Sequence, residues 1–502
     1  MCIVDGLGSN PSESGNATKG MTNLERAISL YPNTLLKASG PEVGLVDAKD
    51  AGNSEVGHNA IGAGQYIKQG LALLNDAFAT GAVFDNNTWR DLVANAKKEG
   101  RKINIIVCLS DGRIHSDIQH LFKVLNQCAK EKVTVSIHAL LDGRDVSPQS
   151  AMKYIKQTRD EIAKCGVNAR IATVGGRGVL WMDRYETDTR VVTNGFGICV
   201  QGNTKVVSNI EEALNAEYRL KPSMTDETMP PFILEPDYLI KNSDSVLLLN
   251  YRGDRAIEMC NMFDKGTYLN NDQYYLIKNC LFAGMLLYDA ELGIPKKFLC
   301  PPASITNGLT EHLCKHGVRQ FTITETIKFG HLTYFFNGNK STPFDPKLET
   351  WKEIIANPKP LKEAPEMRAR EITDGACYAI KTDKYDFIKL NLVNPDIVGH
   401  TADYAAAFLA CKVVDECLGR LIECCKSVNA KLIITGDHGN AEEMLDAEGK
   451  PRSSHTNNPV PFILIGAGSI ALNKMMGLTN IAATICKLLG VPVHPKFNPS
   501  II

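Results

Sequence analysis

Asn394-Pro-Asp396-Ile-Val-Gly-His400 and Gly436-Asp437-His438-Gly439-Asn440 each follow a short, branched apolar run, Ile388-Lys-Leu-Asn-Leu-Val393 and Leu432-Ile-Ile-Thr435. Runs of that length and branching read as buried strands. In open α/β sheets, ligands bind just beyond the carboxyl ends of the strands, which is where Asp396 and Asp437 fall. Ser454-His455-Thr456 adds a third cluster. Asp396, His400, Asp437, His438 and His455 mix carboxylate and imidazole donors, a set that suits Zn²⁺ or Mn²⁺. Five such donors exceed what one tetrahedral site with an open position can use, so two ions clamping a phosphoryl group are the better reading. Helix capping or turn formation explains a lone Asp after a strand, but caps do not call for histidine.

The chain has 502 residues, too many for one ordinary core, so two domains are expected. Charged residues make up 22% and the formal net charge is −1, which speaks against nucleic-acid or membrane-surface partners. No apolar run approaches transmembrane length, and Cys2-Ile3-Val4 before Asp5 is no signal-peptide core. The 15 scattered cysteines contain no CxxC pair and read as reduced core residues, Cys424-Cys425 included, so a cytoplasmic protein is expected.

Strand-like and helix-like runs alternate along most of the chain, the mark of an α/β fold with a parallel sheet. Metal-type residues gather at the two ends, with Asp5 at one and the three clusters at the other. Between them lie arginine-bearing turns after strands: Ser110-Asp-Gly-Arg-Ile-His115, Asp142-Gly-Arg144-Asp145, Gly175-Gly-Arg177 on to Arg184, and Asn250-Tyr-Arg252-Gly-Asp-Arg255. This asymmetry predicts one domain from residues 1–70 and 303–502, with residues 71–302 inserted as a second.

Gly52-Asn53-Ser54-Glu55-Val56-Gly57-His58 holds the best nucleophile candidate. A serine at a helix N-terminus meets free amides and a favourable dipole, and a metal touching its oxygen would lower its pKa. The plain alternative is an N-cap serine. Guanidinium forks pair bidentately with carboxylate and phosphate, so convergent arginines imply a small, multiply anionic ligand. His115 and Asp145 add groups able to move a proton. His138, inside a strand pattern, reads as a satisfied core histidine. Lys328, ahead of a strand-like Leu332–Phe336, is by default a solvent-facing lysine, with positive charge for a phosphate as the functional alternative.

Together, Val4-Asp5-Gly6, GNSEVGH ending at His58, LSDGRIH ending at His115, LLDGRD ending at Asp145, GGR at Arg177, MDR at Arg184, the Arg252/Arg255 turn, NPDIVGH, GDHGNAE and SHTNNPVPF resemble cofactor-independent phosphoglycerate mutases, of the alkaline-phosphatase-like superfamily. The resemblance runs nearly end to end. It implies a phosphatase-like parallel-sheet domain built from both chain ends, an inserted α/β transferase domain, and interconversion of 3- and 2-phosphoglycerate in glycolysis and gluconeogenesis. Ser54 would carry the phosphate as phosphoserine, without 2,3-bisphosphoglycerate. One Mn²⁺ or Mg²⁺ would be held by Asp396, His400 and His455, the other by Asp5, Ser54, Asp437 and His438. His115, Arg144, Asp145, Arg177, Arg184, Arg252, Arg255 and Lys328 would contact substrate, in a protein expected to be a monomer. Asp145 is the expected proton shuttle, with His115 on the phosphate or assisting.

Four residues depart from the family pattern: Arg113 and Ala402 where glycine is usual, Gly253 where proline is, and Ile327 in place of an acid. The strand before Asp5 is also short, which would weaken it as an edge. A related metallohydrolase or phosphopentomutase, and a metal-binding protein without turnover, are the competing readings.

Overall fold

The computed structural model describes residues 1–182, 190–265, 267–270, 273–288, 293–303, 305–356, 359–445, 449, 451–452 and 454–502, with backbone alone for 254, 267–270 and 273–276. The chain packs as two units, Met1–Ala72 with Ala303–Ile502, and Leu73–Pro302.

Among the described residues, the first unit carries a seven-stranded sheet in the order Glu349–Ile354, Gln320–Glu325, Phe387–Leu392, Cys2–Val4, Leu432–Thr435, Val460–Ile465, Asn33–Leu36. The strands from Glu349–Ile354 to Leu432–Thr435 run parallel, and each of the last two is antiparallel to its predecessor. Cys2–Val4 is an interior strand rather than an edge: Val4 sits opposite Leu392 on one side and Ile3 opposite Thr435 on the other. Its lack of polar alternation follows from burial on both faces. Cys2 and Val4 enter one core with helices Ala369–Lys381 and Tyr404–Ser427, whereas Ile3 enters the other with Ser54–Ala63 and Ile481–Leu489. Three adjacent parallel strands therefore end on one edge of the sheet with Asp5, Asp396 and Asp437 just beyond them.

Leu332–Phe336 is not a strand. His331–Phe335 forms a π-helical turn, and the strand that leads to Lys328 is the preceding Gln320–Glu325. Leu332 and Phe336, four apart in sequence, share a helical face and pack into the core with Ala60 and Ile61. Burial of that face outweighs the β propensity of the aromatic run.

The second unit carries a sheet in the order Leu281–Gly284, Ser245–Leu249, Ile103–Cys108, Val135–Leu141, Ala169–Gly176, Phe232–Ile233, parallel except for the last pair. Its arginine turns leave the same edge. His138 is fully buried, with Nδ1 at 2.9 Å from Thr173 Oγ1 and Nε2 at 3.3 Å from Asn104 Oδ1, a satisfied core histidine. All the cysteines are free. No helix among the described residues is long and apolar enough to cross a membrane.

Candidate active site

Helix Ser54–Ala63 starts at Ser54, but its N-cap is Asn53, whose side chain accepts from Val56 N–H at 2.9 Å. The Ser54 hydroxyl is thereby released from capping. It donates to Asp5 Oδ1 at 3.1 Å, lies 2.9 Å from His438 Nε2, and accepts from the Lys328 ammonium. Gly57 allows this approach: a Cβ there would collide with the Asp437 carbonyl.

Around the serine the unit gathers every metal-type residue singled out above. Asp396 Oδ1 lies 3.3 Å from His400 Nε2 and 3.2 Å from His455 Nε2, and the two imidazole nitrogens are 3.0 Å apart. His438 Nε2 lies 3.4 Å from Asp5 Oδ1 and 3.5 Å from Asp437 Oδ2. Lys328 Nζ donates to Asp396 Oδ2 at 2.9 Å and to Asp5 Oδ1 at 3.1 Å. Burial opposes each of these charges, yet the Lys328 ammonium holds the Asp5 and Asp396 carboxyls below the usual range, and Asp396, Asp5 and Asp437 in turn push the lysine up. For His438 the penalty of burial is outweighed by Asp437, Asp396 and Asp5, which raise it to about 10; burial, helped by the His438 charge, lowers His455 to about 4.

The donors fit two cations. Asp396, His438 and His455 bring ligand atoms within 4.8 Å of one another, and so do Asp5, His58 and Asp437. Asp437 Oδ2 is buried and accepts no hydrogen bond, an unmet demand that a metal ion would satisfy. This grouping differs from the family pattern by drawing His438 towards the first set and adding His58 to the second. His58 stood inside a quoted motif but had no role in the sequence reading. Its Nδ1 faces Ser54 O at 2.8 Å and Asp437 Oδ2 at 3.3 Å, while Asn391 Nδ2 reaches His58 Nε2 at 3.3 Å and Asp5 Oδ2 at 2.7 Å. Asn440 likewise donates to Asp396 Oδ1 at 2.8 Å. Buried Asn and His within a motif were the available signal; their partners lie too far away in sequence to infer.

The second unit forms a separate polar cluster. Arg177, 3% exposed, bonds Asp142 Oδ1 at 3.0 Å and pairs with Asp145; Glu227 is 3.7 Å from its Nε. Asp145 N–H and Ser110 Oγ–H bond Asp142 at 3.0 and 2.6 Å. The more exposed Arg144 reaches Glu227 at 3.4 Å. His115 is buried, with no partner for Nδ1; burial, and then the charges of Arg177, Arg252, Arg255 and Arg144, hold it well below its usual pKa and so neutral. Arg255 donates to Met182 O at 2.9 Å. Arg184 lies outside the described residues. Arg113 is exposed and pairs with Asp117, 3.0 Å away.

A parallel-sheet fold with two sets of carboxylate and imidazole donors, all buried but the half-buried His455, around a serine defines a metalloenzyme, and a family model described as the metalloenzyme superfamily matches residues 1–493. A probable 2,3-bisphosphoglycerate-independent phosphoglycerate mutase of Leptospira interrogans is 37% identical over 530 residues, covering 100% of this chain and 96% of that protein. The 2,3-bisphosphoglycerate-independent phosphoglycerate mutase of Trypanosoma brucei is also 37% identical, with the same 100% and 96% coverage. A crystal structure of Leishmania mexicana phosphoglycerate mutase, obtained at low cobalt concentration, superposes with a TM-score of 0.73 at 35% identity, covering 100% of this chain and 96% of that one. The chain belongs to the 2,3-bisphosphoglycerate-independent phosphoglycerate mutase family.

Proposed function

We propose that this protein interconverts 3- and 2-phosphoglycerate, with Ser54 as the temporary phosphate carrier, in glycolysis and gluconeogenesis in the cytoplasm. The observation that carries this reading is the convergence of Asp5, His438 and Lys328 on the Ser54 oxygen, at 3.1 Å for Asp5 and 2.9 Å for His438. Asp396, His400 and His455 would hold one divalent ion, Mn²⁺ or Mg²⁺, and Asp5, Ser54, Asp437 and His438 the other. Bound there, the ions neutralise the transferring phosphoryl group and lower the pKa of the serine hydroxyl.

Ser54, as the alkoxide left once its hydroxyl proton has passed to solvent, attacks phosphorus through Oγ, and the bond from phosphorus to the glycerate oxygen breaks. The Asp145 carboxylate takes the proton of the other hydroxyl and passes it to the released oxygen; the deprotonated oxygen then attacks the phosphoserine, and the bond from phosphorus to Ser54 Oγ breaks. Lys328 stabilises the charge that builds on the phosphoryl oxygens. The Met1–Ala72 and Ala303–Ile502 unit is the phosphatase-like part; the strand-end arginines Arg144, Arg177, Arg252 and Arg255, with Arg184, hold carboxylate and phosphate as bidentate forks. His115, neutral, can hydrogen-bond an anion without adding charge. The substrate is a small molecule, and a monomer suffices for this chemistry.

Labelled phosphoglycerate, quenched during turnover, is expected to leave phosphate on Ser54. Label on another residue, or free phosphate without isomer conversion, would overturn the assignment.

A further inference from the structure

Glu442 is fully buried, and both its oxygens are filled by neutral donors. Oε2 accepts Gly8 N–H at 3.0 Å and Asn440 N–H at 2.8 Å; Oε1 accepts the Thr456 hydroxyl and Asn458 Nδ2 at 3.0 Å. These donors come from three loops far apart in sequence. Gly8 follows Asp5, Asn440 follows Asp437 and His438, and Thr456 follows His455. Neither Gly8 nor Gly439 has room for a side chain, because an added Cβ would run into the Glu442 carboxylate. The same loops are stitched by Asn440 N–H and Ala441 N–H to Gly6 O, both at 3.1 Å, and by Thr456 N–H to Gly439 O at 3.0 Å.

We infer that Glu442 is a positioning residue that locks the loops carrying Asp5, Asp437, His438 and His455 into metal-binding register. This rests on the metal reading proposed above. A carboxylate suits the task better than an amide: a glutamine NH₂ would face two backbone N–H donors on the Gly8 and Asn440 side, or the Asn458 NH₂ on the other, where only the Thr456 hydroxyl can turn to accept. Loss of such outer-layer support typically weakens metal binding by about 10–100-fold.

The test uses the full-length, metal-free protein titrated with Mn²⁺ alone by calorimetry, with thermal melting run alongside. Glu442→Gln should stay folded and bind Mn²⁺ at least about tenfold more weakly. Asp415→Asn is the control. Asp415 is another buried carboxylate of the same unit, accepting Leu24 N–H at 2.9 Å and Asn23 N–H at 3.0 Å, with no proposed ligand among its recorded hydrogen-bond partners. It should melt lower yet bind Mn²⁺ like the parent. Parent-like affinity in a folded Glu442→Gln, or equal weakening in Asp415→Asn, overturns the inference. If Glu442→Gln does not fold, Thr456→Val, which removes one donor to Oε1, decides: weaker Mn²⁺ binding supports the role and unchanged binding refutes it. A parent protein that takes up no Mn²⁺ would instead overturn the metal reading, and the role of Glu442 with it.

Discussion

The Lys328 ammonium donates to Asp396 Oδ2 at 2.9 Å across 68 residues of sequence, and both groups are buried. That pair joins the loop after Gln320–Glu325 to the helix after Phe387–Leu392, two neighbouring parallel strands. Removing one partner of a buried pair leaves the other uncompensated, at about 3–5 kcal/mol. Lys328→Ala should therefore lower the unfolding free energy of the metal-free protein by about 3 kcal/mol and reduce kcat at least about a hundredfold. Urea denaturation and steady-state kinetics read the two effects, and a kcat within tenfold of the parent would contradict the role.

Ser54→Ala should abolish phosphate transfer and leave the fold intact. Because Asn53 supplies the cap through its 2.9 Å bond from Val56 N–H, the helix loses no cap with the hydroxyl. Expected are a parent-like melting temperature and no labelled phosphoprotein. Retained isomer conversion would count against Ser54 as nucleophile.

His438 keeps its proton to about 10 in the metal-free protein, because three carboxylates outweigh the cost of burial. A raised folded pKa contributes stability that is present below the unfolded value of about 6.5 and lost as pH rises through about 10. Only the neutral imidazole ligates, so Mn²⁺ uptake near neutral pH should release about one proton from this residue, with binding and activity failing at mildly acidic pH. Calorimetry in buffers of different ionisation enthalpy measures that proton; none released, or activity flat down to about pH 5, would oppose the claim.

Arg177→Met should cost more than Arg252→Ala. Arg177 is 3% exposed and its loss strands the Asp142 and Asp145 carboxylates, so both stability and kcat/KM should fall. Arg252→Ala should weaken binding and turnover together with a smaller change in melting temperature. Unchanged kinetics in both variants would remove the arginine site from the mechanism.

Ala402 adopts φ 54° and Arg113 φ 57°, the left-handed region that costs a residue with a Cβ about 1 kcal/mol or more. The two positions where this chain replaces the family's usual glycine are thus ones where glycine relieves strain. Ala402→Gly should raise the unfolding free energy by about 0.5–1 kcal/mol, the strain relieved less the extra unfolded-state freedom of glycine. A lower melting temperature for that variant would refute this.

Much of the sheet was legible because its strands carry continuous branched apolar runs: Leu432–Thr435 forms over its expected span, and Phe387–Leu392 nearly so. Gln320–Glu325, Glu349–Ile354 and Asn33–Leu36 were missed, since threonine, glutamate and asparagine break the apolar pattern that marks a buried strand. Leu332–Phe336 misled for the opposite reason: aromatic residues fit strand and helix alike until packing against Ala60 and Ile61 decides.

By itself the sequence determined which groups are available: an Asp just past three of the strands, a serine ahead of a helix-like segment, and arginines at strand ends. Those are local properties, written in residue type and short spacing. Only the tertiary structure decided that His58 and Asn391 brace Asp5 and Asp437, that Glu442 ties three loops, and that Lys328 sits between Asp5 and Asp396. These contacts join segments dozens to hundreds of residues apart, and their geometry follows from the order and parallel direction of strands in the sheet, which no local pattern encodes.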